Sequence, residues 1–178
     1  MIVSFAFELV AVAVADLHFV NPRPEPGQEG PELGVRVELR RLERGERQGS
    51  IYAAGPVGLG RPLWRVDLLE SVDRPGTLDR AHHHPRFEGW EPGPRRFVAE
   101  LAADPLGWLA TRLADLDGVA RQAGASGGEV PPADVAAVAR AAPQIMAAVA
   151  GLLDAARASA VGARLPRTSG ASVRLGGL

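Results

Sequence analysis

At Arg95 the spacing of apolar residues changes, and no other feature of the chain restricts its fold so strongly. Upstream, "GVRVELRRL" puts Val35, Val37 and Leu39 on one side and Arg36, Glu38 and Arg40 on the other, the period-two pattern of a strand with one wet face. "LWRVDLLE" repeats it, with Trp64, Val66 and Leu68 opposed to Arg65 and Asp67. Downstream the period lengthens to three and four. Leu106, Leu109, Leu113 and Leu116 form one stripe, and Val135, Val138, Ala142, Ile145, Val149, Leu152 and Ala156 form another, at the spacing of amphipathic helices. The pattern predicts a single α+β domain: an antiparallel β-sheet of about four or five strands over 1–95 and a C-terminal α-helical hairpin over 96–162.

Punctuation supports this division. "NPRPEPGQEGPELG" (21–34) is too rich in Pro and Gly to be anything but a surface connection. "RGERQG" and "SVDRPGTLD" read as further turns, and "SIYAAGPVGLGRP" as a short strand with a glycine-rich loop. Asp104–Pro105 is an N-cap and first-turn pair, "GASGGEVPP" separates the two helices, and Pro143 is expected to kink or split the second. Residues 163–178 read as a flexible tail in which "SVRL" could add an edge strand. The opening run "MIVSFAFELVAVAVADLHFV" carries Glu8 and Asp16 and lacks a basic leader, so it reads as core; a strand with Phe5, Phe7 and Leu9 on one face and an Ala-rich helix are the alternatives.

Charge excludes some partners. With 20 basic and 21 acidic residues there is no net positive field for a nucleic-acid backbone or an anionic membrane. The absence of cysteine rules out thiolate ligands and disulfides and fits a cytoplasmic protein. No phosphate loop, nucleophile elbow or dinucleotide fingerprint occurs.

Chemistry concentrates in "DRAHHHPRFEGW", which holds three of the four histidines. If the stretch is extended, His82 and His84 project from one face and His83 from the other, so one strand can offer two imidazoles to one cation. A carboxylate nearby would complete a site for a divalent metal such as Zn, Fe or Mn, with an open position for water. Asp67 and Glu88 are the leading carboxylates, as ligand or general base, with His18, Glu70, Asp79 and Glu91 also available; Arg80, Arg86 and Trp90 are the candidates for holding a substrate. Trp64 and Trp108 read as core, and "RRLERGER" as a solvated hairpin tip.

The spacing of Gly76, His82, His84 and Glu88 resembles the first metal motif of the cupins, which implies a β-barrel metal site held by the two His and the Glu. The likeness stops there: Arg95 stands where that motif has Gly, and no histidine follows His84 to form a second motif. "PLWRVDLLESVDRPGTLDRAHHHPRFEGWEPGPRRF" with "ADPLGWLATRL" resembles an uncharacterised family of small actinobacterial proteins, a likeness that implies no activity. Two functional readings stay open. One is a metal-assisted hydrolase or lyase acting through His82 and His84. The other is a non-enzymatic module whose His segment is structural and whose C-terminal helices mediate homo-oligomerisation or docking of a protein partner.

Overall fold

Five strands follow one another in space as they do in sequence: β1 (Ile2–Ala6), β2 (Val10–Val20), β3 (Pro31–Arg44), β4 (Val57–Ser71) and β5 (His82–His84), each antiparallel to the next. A two-stranded ribbon, β6 (Phe87–Glu88) and β7 (Glu91–Pro92), leads to helices α1 (Ala99–Ala103), α2 (Pro105–Ala114), α3 (Leu116–Ala123) and α4 (Pro132–Arg164). The computed structural model describes residues 1–24, 26, 30–126 and 128–164. The architecture is therefore α+β, with the sheet in the N-terminal half and the helices after it.

The opening apolar run is β-structure, but it folds back on itself, pairing Ile2 with Ala15 and Ala6 with Ala11. Its tight turn is held from outside. The Asp134 carboxylate, in the first turn of α4, accepts the backbone N–H groups of Glu8, Leu9 and Val10 at 2.8–3.1 Å. The second expected short strand does not stand alone: β4 runs from Val57 to Ser71, and the chain absorbs the glycines by slipping register against β3 between Leu39 and Leu42.

The helical half departs from a simple hairpin. The leucine stripe is interrupted at Asp115, whose backbone leaves the helical region at φ −110° and ψ 54° and whose side chain accepts from Gly118 N to start α3. A short acidic side chain competing for backbone donors explains the break. Leu109, Leu113 and Leu116 nevertheless remain buried across it. Helix α4 continues unbroken through Pro143, where no split occurs; Pro143 and Ala139 both lie on its exposed side, so the lost hydrogen bond falls outside the core. The predicted two-helix hairpin is thus replaced by three short helices and one of 33 residues, with α2 and α3 packed on α4. By length and composition α4 could cross a membrane over Pro132–Ala160, with mean hydropathy 1.5 in its most apolar stretch, 22 % of which is buried. The tail from residue 165, including "SVRL", lies outside the described residues.

One face of the sheet packs under the helices. Val12, Val14, Val37, Leu39, Trp64, Val66 and Leu68 join Leu101, Leu109, Leu113, Val138, Ile145, Val149 and Leu152 in a single apolar cluster. The opposite face carries the polar halves of the alternating strands in two rungs, Ala13–Glu38–Arg65–His84 and Ala15–Arg36–Asp67–His82. Expected to be wet, this face is largely dry: Glu38 is 7 % and Asp67 2 % exposed. Neighbouring arginines lie down across it. Glu38 binds Arg40 and Arg65, each at 2.7 Å, and the ribbon covers the result, with Phe87 5.0 Å from the Arg65 guanidinium and Trp90 5.3 Å from that of Arg40.

Candidate metal centre

Strand β5 is only three residues long, and its placement decides which imidazoles face which layer. It pairs with β4, placing His82 opposite Asp67, His83 opposite Val66 and His84 opposite Arg65. On its other edge, His83 exchanges backbone hydrogen bonds with Arg96 at 3.1 and 2.8 Å. The approach to β5 is held by Glu70, which is fully buried on the helix side of β4. Its carboxylate takes Arg157 of α4 through two 2.9 Å bonds and also accepts from Gly76 N and Leu78 N. That second contact keeps Leu78 in a left-handed conformation, φ 48°, which a branched side chain seldom adopts.

On the polar face Asp67, His82 and His84 converge, all buried. His82 Nδ1 lies 2.8 Å from the Arg80 carbonyl, and His84 Nδ1 lies 2.6 Å from the Gly93 carbonyl. A carbonyl only accepts, so each Nδ1 donates to it, and each Nε2 is left turned toward Asp67. Those nitrogens stand 3.4 Å and 3.8 Å from Asp67 Oδ2. One potential ligand atom from each of the three residues lies within 4.8 Å of the others. Four-coordinate metals with bonds of about 2.0–2.1 Å need ligand atoms about 3.4 Å apart, and the two separations from Asp67 Oδ2 are within a few tenths of an ångström of that. Backbone carbonyls orienting the far nitrogens of both imidazoles are the usual outer support of metal-ligating histidines.

A fourth residue takes part. Arg36 donates Nε to Asp67 Oδ1 at 2.7 Å and a terminal nitrogen to Oδ2 at 3.1 Å. Burial works to raise the Asp67 carboxyl, but His82 and Arg36 outweigh it and hold the group well below the usual carboxylate range. Asp67 is therefore ionised throughout the neutral range. Burial lowers His84, against the opposing pull of Gly93 and Asp67, so it is a neutral ring at pH 7. Burial and then Arg112 push His83, on the other layer, down to about 4.

The remaining candidates are dispersed. Glu88 is exposed on β6, cross-strand from the exposed Glu91, and is not in the three-residue group. Arg80 contributes its carbonyl to His82, while its Nε lies 3.7 Å from Asp79. Arg86 donates to the Gln122 carbonyl at 2.9 Å, and Trp90 is 61 % exposed. Asp79 accepts from Ser71 N and the Thr77 hydroxyl, and His18 lines a separate cavity of about 520 Å³ between the sheet and the end of α4. Sequence reasoning missed Arg36 as part of the cluster, although its alternation with Val35 and Val37 placed it on the correct face. Gly93, acting through its carbonyl, left no signal in the sequence.

Comparisons with protein-family models, with curated proteins and with solved structures give no match.

Proposed function

We propose that this chain binds a divalent transition metal, Zn, Fe or Mn, through Asp67, His82 and His84. The observation that carries the reading is the convergence of two buried imidazole Nε2 atoms on one carboxylate oxygen, with both Nδ1 atoms already committed to backbone carbonyls. With Nε2 deprotonated, the two imidazoles and the carboxylate form a buried set of three acceptors, a donor set that suits a divalent cation. Three protein ligands leave a coordination position for water, the arrangement of catalytic rather than closed structural sites. That supports metal-assisted hydrolysis or elimination on a small polar substrate as the reaction class, with Asp67 a ligand through Oδ2 and Arg36 bracing both of its oxygens. Glu88, Arg80, Arg86 and Trp90 would enter such a reaction only from the rim. Elemental analysis of protein dialysed against each metal is expected to return about one equivalent, and His82→Ala with His84→Ala to abolish it. Folded wild-type protein that takes up no metal would overturn the reading and leave the cluster as an ion network centred on Arg36 and Asp67.

A second reading has its own observation. Only 22 % of the most apolar stretch of α4 is fully buried, and the small alanines on its open side would let a second copy of the helix approach closely, which favours self-association as a non-enzymatic role. Light scattering across a concentration series is expected to show a dimer; a monomer at every concentration removes this reading and leaves the first intact.

A further inference from the structure

The layer beneath β5 contains a second polar site, unconnected to the three-residue cluster. His83 points away from His82 and His84, toward the helices. Its ring meets Trp108 edge-on at 5.1 Å, and the Arg112 guanidinium lies 4.9 Å from the same indole. His83 is 4 % exposed, yet neither its Nδ1 nor Arg112 Nε, both shielded, has a hydrogen-bond partner among the described residues. Buried polar groups in folded proteins are almost always satisfied, and one that is not calls for a ligand or a water. Two of them flanking one tryptophan mark a place where something polar belongs.

Both side chains line an open cleft of about 650 Å³ bounded by β5, α1, α2 and α3, whose other walls include Val98, Glu100 and Gln122. That volume is in the range of small-molecule sites. The cleft continues past His83 and Val98 into a second hollow of about 480 Å³ that adds Arg86 and Arg96. Three arginines, 86, 96 and 112, face two carboxylates, Glu100 and Asp104, a surplus of one positive charge. Asp104 is committed to Gly107 N at the start of α2, but Glu100 stands exposed at the rim, where it would repel a doubly charged phosphate.

We propose that this cleft binds a small organic monocarboxylate, its carboxylate held by Arg112 and His83 beside the buried Trp108 and its apolar body lying against Val98. A guanidinium suits a carboxylate better than any other cation, because its forked donors match the two oxygens. An imidazole N–H adds a third donor, and the half-buried Val98 side chain provides apolar contact in the same cleft. The site draws on no residue of the metal cluster.

Titration with benzoate and phenylacetate tests the proposal, followed by tryptophan fluorescence and by amide chemical-shift mapping, on full-length protein kept in EDTA. Expected are saturable quenching, shifts confined to β5, α1 and α2, and no displacement by inorganic phosphate. Arg112→Met, which keeps the stem over Trp108, should weaken binding about tenfold or more, and Arg112→Lys should recover part of the loss; circular dichroism checks that each variant folds. Failure to saturate, equal binding by folded Arg112→Met, or displacement of benzoate by phosphate would each overturn it. Because the measurement excludes metal, its failure leaves the metal reading standing, and absent metal uptake leaves the cleft standing.

Discussion

Two oxygens of Asp67 serve three neighbours, and Glu70, three residues further along β4, serves three as well. Odd and even positions of one strand thus send one carboxylate to each side of the sheet. Glu70 is the structural member of the pair. Burial works to raise its carboxyl, but Arg157 and the N–H groups of Gly76 and Leu78 prevail and hold it below its ordinary value of 4.5. A carboxyl depressed in the folded state favours folding above its unfolded value and loses that contribution as pH falls through the folded one. Urea-unfolding midpoints of Glu70→Gln and wild type should therefore differ most at neutral pH and converge below pH 4.5. At pH 7, Arg157→Met should cost about 3 kcal/mol, since it strands a buried charge. A constant difference across the pH range would show that the charge is not what matters. Residue types at this scale were partly readable: the cluster's two alternate histidines and Asp67 could be named from period two alone, whereas Glu70 and Asp79, weighed there as site candidates, hold a turn instead.

Among the elements, the phase of the apolar stripes was readable and the boundaries were not. Val138, Ile145, Val149 and Leu152 are buried as their spacing required, because a helix has one face for a core and the sequence marks it. Where a helix stops depends on single side chains bonding to nearby backbone, as Asp115 does, and that competition is settled by packing rather than by periodicity. The β1–β2 turn makes the same point over a longer range. Its donors are satisfied by Asp134, 124–126 residues away in sequence, and no local pattern announces such a partner. Asp134→Ala should therefore destabilise the protein by about 3 kcal/mol, through the loss of charge-assisted bonds to three backbone donors. Hydrogen exchange should show the added opening concentrated at residues 7–10; protection unchanged there would contradict the role given to this carboxylate.

Seen as a whole, the molecule is a sheet with two unlike faces, one greasy and one ionic. The ionic face could be expected from Arg36, Glu38, Arg65 and Asp67 on alternating positions, but its dryness could not. It follows from arginine stems and the β6–β7 ribbon lying flat over the charges. The helical layer carries the larger share of buried hydrocarbon, so that side supplies most of the cohesion, and the ionic side is left freer to specialise. Strand β5 belongs to both. With three residues pinned between β4 and Arg96, it is a party wall one backbone thick: a slip of a single residue along β4 would exchange what its side chains present to the two compartments, so one short pairing sets the furnishing of both rooms.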